Sequence, residues 1–184
     1  MNALEELSSA GQSIWLDFLR REMITSGYLD QLRRDDFVTG ITSNPSIFNK
    51  AISQGSDYDE AIHALAATGE VKPSDIYYDL ALEDVRKSSD VLRPVYERTA
   101  GKDGFVSFEL DPALAHDTAG SVASAQALVA RIGRPNIMIK VPGTVEGVGA
   151  VQQLTALGVN VNITLLFSVQ MYEKVARAYI AGLE

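Results

Sequence analysis

The sequence predicts an α/β fold of parallel strands joined by crossover helices, and three observations carry that prediction. Short apolar runs alternate with longer amphipathic ones, and five such strand-and-helix units follow one another along the chain. A helical stretch stands between each pair of successive strands, which is the connection that parallel neighbours need. Each strand also carries a polar residue near one end, as parallel α/β folds do where strand ends face a ligand. Periodicity alone does not say whether such a sheet stays open or closes into a barrel. The 184 residues, 46% hydrophobic and 22% charged, are enough for one domain with a sizeable core, so 1–184 is expected to fold as one unit.

The elements can be justified in order. "SIWLDFL" (13 to 19) reads as the first strand, followed by one helix through "REMITSGYLDQLRRD". "FVTGITSN" (37 to 44) is the second strand, closed by Pro45; "PSIFNKAIS" and two further helical stretches follow. One of these starts at Ser74, carries Asp75 in its first turn and runs toward Arg98, with Pro94 expected to kink it. "GFVSFELD" (104 to 111) is the third strand, and its helix spaces Val122, Ala125, Leu128 and Ile132 on one face before stopping at Gly133. "NIMIKVPGTVEG" (136 to 147) holds the fourth strand. Its helix starts near Thr144, buries Val148, Val151 and Leu154, and ends at Gly158. "VNVNITLLF" (159 to 167) is the fifth strand, with "SVQMYEKVARAYIAGLE" as the last helix.

Composition excludes several classes of function. A formal net charge of -8, with no block of Lys and Arg, opposes binding to a nucleic-acid backbone. Zero cysteines rules out thiol catalysis and a disulfide framework, and agrees with a reducing compartment. The acidic N-terminus lacks a signal-peptide core, and no run reaches the roughly 20 apolar residues of a membrane span, so a cytoplasmic protein is expected. No zinc-like spacing of ligands occurs, and no metal or other cofactor is expected. "VPGTVEGVG" lacks the G-x-G-x-x-G spacing of dinucleotide sites, and there is no Walker lysine motif.

The candidate site residues are the polar groups set into apolar strands: Asp17, Asn44, Glu109, Asp111, Lys140, Asn162 and Thr164. Any one of them taken singly fits a cap or turn residue. Their recurrence on every strand points to the floor of a pocket. Lys140 admits two readings. It can carry its ammonium to water, or pair with Glu109 or Asp17. Alternatively Ile137, Ile139 and Val141 strip it of water, disfavour the ammonium and leave an amine that attacks a ketone or aldehyde. The resulting imine is an electron sink for carbon–carbon bond chemistry, with Asp17 or Glu109 as the base and no metal required.

The motifs "WLDFLRREMITSGYL", "GITSNPSIF", "VSFELDP", "IMIKVPGTVEG" and "NVNITLLFS" together resemble those of the transaldolases, in the longer bacterial branch of that family. The resemblance covers the whole chain and falls on the N-terminal part of a longer family protein. It implies a (β/α) barrel of the class I aldolase type, with Lys140 as the Schiff-base lysine on strand four and Asp17 as the general base for cleavage. It makes Glu109 an acid/base working through a water that Thr164 holds, has Asn44 and Asn162 orient substrate hydroxyls, and places Ser107 in the pocket. The implied reaction moves a dihydroxyacetone unit from a ketose phosphate, such as fructose 6-phosphate or sedoheptulose 7-phosphate, to an aldose phosphate, erythrose 4-phosphate or glyceraldehyde 3-phosphate, in the pentose phosphate pathway.

Length departs from that pattern. An eight-stranded barrel takes about 250 residues, whereas five strand signals are counted here. The chain is therefore expected to be a partial barrel of about the first five βα units, lacking the residues that bind substrate phosphate in the family. An open barrel edge implies self-association. Two other readings stay open: a related class I aldolase that releases free dihydroxyacetone, and a noncatalytic partial barrel.

Overall fold

A computed structural model describes residues 3–184. Its elements are α1 (Ala3–Ser9), β1 (Ile14–Asp17), α2 (Arg21–Thr25), α3 (Tyr28–Asp35), β2 (Val38–Thr42), α4 (Pro45–Gln54), α5 (Asp59–Ala66), α6 (Pro73–Arg98), β3 (Val106–Glu109), α7 (Thr118–Ile132), β4 (Ile137–Pro142), α8 (Val145–Ala156), β5 (Val161–Thr164) and α9 (Val169–Leu183). A single 3-10 turn, Pro112–Leu114, lies between β3 and α7. All five expected strands form, each inside its expected range. They are hydrogen-bonded neighbours in the order β1-β2-β3-β4-β5, and the registers of β1 with β2 and of β4 with β5 are parallel. A doubly wound sheet reverses its strand order at a switch point, whereas sequential addition is how a (β/α) barrel is built. The strand order thus decides what periodicity left open.

The chain divides into two compact units, Met1–Val106 and Ser107–Glu184. In the first, β1 pairs with β2 so that Trp15 faces Gly40 and Asp17 faces Thr42, and the Ile41 N–H donates to the Phe105 carbonyl. The one helix expected after β1 is two. Gly27 adopts a left-handed φ of 78°, which costs a glycine little and ends α2 before α3 begins. The long helix α6 buries Leu80, Leu82, Val85, Leu92 and Val95, and Pro94 lies within it. α1 was not expected, since its run offers no residue to a core: none of its residues is buried.

In the second unit, the Leu110 N–H donates to the Lys140 carbonyl, and β4 pairs with β5. α7 is capped by the Asp117 carboxylate, which accepts from the Gly120 N–H at 2.9 Å, and it ends at Gly133. Its buried face is Ser121, Ala125, Leu128 and Ile132, so a serine takes the place expected for Val122. α8 buries Gly147, Ala150, Val151, Leu154 and Thr155, while Val148 is only half-buried. Small residues occupy the inner positions because the helix lies close to its neighbours: a Cβ on Gly147 would collide with the Pro142 carbonyl at the end of β4. No helix among the described residues is long and apolar enough to cross a membrane.

Candidate active site

Strand parity sets the site in the second unit. Successive strand residues point to opposite faces, and β4 alternates strictly, with Ile137, Ile139 and Val141 buried and Met138, Lys140 and Pro142 half-buried. Lys140 therefore points away from the very residues expected to desolvate it. Its charge is tolerated because it belongs to the other face of the strand. That face is polar across three strands: Ser107 and Glu109 on β3, Lys140 on β4, Asn162 and Thr164 on β5.

Side-chain contacts cross the polar face between strands. Lys140 Nζ lies 3.1 Å from Glu109 Oε2, and the two side chains are only 12% and 17% exposed. One proton transfer along that contact leaves a neutral amine beside a carboxylic acid. Asn162 Nδ2 donates to Ser107 Oγ at 3.0 Å, and Ser107 is fully buried. Register places Asn162 directly beside Lys140 and Thr164 beside Pro142. The structure thus gathers four of the seven polar candidates, Lys140, Glu109, Asn162 and Thr164, on one face together with Ser107. Behind the lysine, the Thr144 hydroxyl caps α8 by accepting from the Gly147 N–H at 3.0 Å, and donates to the Ala115 carbonyl at 2.6 Å. The turn after β4 is fixed to the loop after β3. His116 on that loop pairs with Glu146 on α8 at 3.1 Å; the carboxyl of Glu146 is held below the usual range, first by its own backbone N–H and then by His116.

Asp17 and Asn44 belong to the first unit. Asp17 is the exposed last residue of β1. Asn44 caps α4: its Oδ1 accepts from the Ile47 N–H at 3.0 Å, ahead of Pro45 at the first helical position. The cap engages the amide oxygen and leaves the Nδ2 donors to a second partner. Asp111 is likewise a cap, accepting from the Ala113 N–H at 2.9 Å at the start of the 3-10 turn.

One polar cluster escaped the sequence reading. Arg21 on α2 donates from Nε to Asp84 Oδ1 at 2.8 Å and from Nη2 to Glu83 Oε2 at 2.9 Å. Tyr58 donates to Asp84 Oδ2 at 2.7 Å and lies under the guanidinium, 4.6 Å from its ring centre. Burial raises the Asp84 carboxyl above its ordinary value, against the pull of Tyr58 and Arg21; Tyr58 is raised too, by burial first and then by the Asp84 charge. The available signal was Asp84 itself, an acid set among Leu80, Ala81, Leu82 and Val85 on a helix, where burial demands a partner.

Parallel βα units in chain order, with a lysine–carboxylate pair on a shared polar face near the late ends of the strands, define a (β/α) protein of the barrel type. Comparison with known sequences narrows this. The pattern of the Transaldolase/Fructose-6-phosphate aldolase family matches residues 14–183. A protein named Transaldolase from Saccharopolyspora erythraea is 51% identical over 181 residues, which is 98% of this chain and 49% of the relative. Transaldolase 2 of Streptomyces coelicolor is 48% identical over 100% of the chain and 49% of its own length; Transaldolase of Thermobifida fusca is 47% identical over 98% and 49%. The chain belongs to the Transaldolase/Fructose-6-phosphate aldolase family. It spans about half the length of the curated relatives it matches.

Proposed function

We propose that the protein carrying this chain is a transaldolase, and that residues 1–184 are the N-terminal portion of its (β/α)8 barrel. The observation that carries the reading is the 3.1 Å contact between Lys140 and Glu109 on a polar strand face, within the stretch that the family pattern covers. In this reading Glu109 takes the ammonium proton, and the Lys140 amine adds to the carbonyl carbon of a ketose phosphate. Water leaves, and its departure gives a protonated imine. Asp17 removes a hydroxyl proton, the carbon–carbon bond breaks, and its electron pair moves toward the imine nitrogen to give an enamine. The enamine carbon then adds to an aldose phosphate, Asp17 returns the proton, and hydrolysis frees Lys140. Thr164 holds the water through which Glu109 works, while Asn44, Asn162 and Ser107 orient substrate hydroxyls. Fructose 6-phosphate and sedoheptulose 7-phosphate are the donors, in the pentose phosphate pathway and in the cytoplasm, with no cofactor and no metal.

Borohydride trapping tests this directly. Reduction in the presence of fructose 6-phosphate should leave a mass adduct on Lys140 and none in Lys140→Met; a folded protein without the adduct would sink the proposal. A second reading has the dihydroxyacetone unit released free, and the family description names both activities. Free dihydroxyacetone formed at the same rate with and without an acceptor aldose would favour it. For this chain by itself, we further propose association of two copies through β5, the outermost strand on its side of the sheet, and the apolar surface beside it.

A further inference from the structure

Asp17 is the last residue of β1 and is exposed. No hydrogen bond or ion pair among the described residues holds its carboxylate. Its position is therefore set by the main chain on either side. Upstream, the register with β2 places it beside Thr42. Downstream the chain passes through Phe18, Leu19 and Arg20 to Arg21, and there it is tied unusually firmly. Leu19 is fully buried. The Arg21 backbone N–H donates to Tyr58 Oη at 3.1 Å, so the tie reaches the main chain and not only the side chain. Arg21 is 8% exposed, and its guanidinium forks onto Asp84 and Glu83, with the Leu80 carbonyl at 3.4 Å. Asp84 and Tyr58 are fully buried, and the Tyr58 hydroxyl holds Asp84 in turn.

Stability alone is a poor reason for such a cluster, because a buried ion pair can often be replaced by apolar side chains of similar volume without loss. What it supplies is geometry. Arg21 bonds two carboxylates from one planar fork, which fixes direction as well as distance. Tyr58 closes the loop that follows α4, the helix that Asn44 caps. One cluster thus anchors the turn after Asp17 and the segment that follows the Asn44 helix.

We propose that Arg21, Asp84 and Tyr58 are positioning residues that hold the turn after β1 so that the Asp17 carboxylate meets the substrate hydroxyl. The proposal rests on the reading of Asp17 as the cleavage base. A base displaced by about an ångström can lose on the order of a hundredfold in rate, whereas imine formation at Lys140 does not use Asp17.

The test is a split between two steps in the full-length protein, using Tyr58→Phe and Arg21→Lys. In Tyr58→Phe we expect borohydride trapping at Lys140 to stay within about twofold of wild type while dihydroxyacetone transfer falls about tenfold or more. Amide exchange at Phe18 to Arg21 should accelerate. Arg21→Lys keeps the charge, loses the fork and should show the same split. Val95→Ala, a cavity on the buried face of α6, is the control for lowered stability; it should lower neither step selectively. Transfer within twofold of wild type, an equal fall in trapping and transfer, or the same split in Val95→Ala would overturn the proposal. Failure of both cluster variants to fold would also overturn it, leaving a purely structural core. A wild-type protein that traps no adduct overturns the transaldolase reading instead, and is recognised before any variant is made.

Discussion

At the scale of single residues, Lys140 Nζ lies 3.1 Å from Glu109 Oε2, and the proposed mechanism uses the two as nucleophile and proton acceptor. If Glu109 relays protons to and from Lys140, Glu109→Gln keeps the size and removes the acid/base. The rate of borohydride trapping should then fall by about 10²- to 10⁴-fold, with thermal unfolding close to wild type. An unchanged trapping rate would remove Glu109 from the mechanism. Ser107→Ala removes the acceptor that orients Asn162; it should cost about 1 kcal/mol in a urea titration and raise KM more than it lowers kcat. Lys140, Glu109, Asn162 and Thr164 stood out as candidates because charged, amide or hydroxyl groups interrupt apolar runs. The expected desolvation of Lys140 by Ile137, Ile139 and Val141 fails for a simple reason: residues adjacent in a strand point to opposite faces.

At the scale of elements, the strands and most helices could be read because a run of apolar residues, a cap and a terminal glycine each act locally. The break at Gly27 was harder, since the amphipathic pattern runs through it and only a positive φ ends the helix. The tight seat of α8 on β4 was equally hidden, because a glycine in a helix reads as weakness until the opposing carbonyl is known. Gly147→Ala should therefore destabilise by about 1–3 kcal/mol despite the better helix propensity of alanine; a stabilised variant would show that α8 does not press on Pro142. The Arg21 cluster was illegible because its members come from α2, α6 and the approach to α5, and only folding joins them. Tyr58 gives it a pH signature. Burial, then the Asp84 charge, raise the phenol above its ordinary value of 10.0, against a smaller pull from the Arg21 N–H and guanidinium. A group whose folded value is raised contributes stability that is complete below the unfolded value and is lost as pH climbs past it. Wild-type stability should thus fall more steeply above pH 10 than that of Tyr58→Phe, by up to about 1.4 kcal/mol per pH unit. Parallel alkaline limbs in a series of urea titrations would contradict a buried, neutral Tyr58.

At the scale of the molecule, the apolar surface of the second unit is out of balance with its fold. Phe167 is 89% exposed, Val169 79% and Leu183 65%. Beside them Val151, Ile163, Tyr172 and Val175 line an apolar groove of about 330 Å³. The groove borders β5, an outermost strand whose backbone groups can pair with another chain. Sequence patterning could not show this, because apolar residues at a strand end or on a final helix look the same in sequence whether they are covered or exposed. In relatives about twice as long, more protein is available to cover such a surface; for the chain alone, a second copy is the available cover. Against association stands the net charge of -8, whose repulsion is long-ranged in dilute salt and screened within about 10 Å at 0.1 M. The apolar attraction is not weakened by salt in that way. The chain by itself should therefore gain mass as salt rises from about 0.01 to 0.3 M, read by light scattering coupled to gel filtration. Phe167→Lys combined with Tyr172→Lys should hold it at the monomer mass, 19.9 kDa for the unsubstituted chain, at every salt concentration. A variant that associates like wild type would move the contact away from β5 and α9, and mass that falls with salt would make the attraction electrostatic.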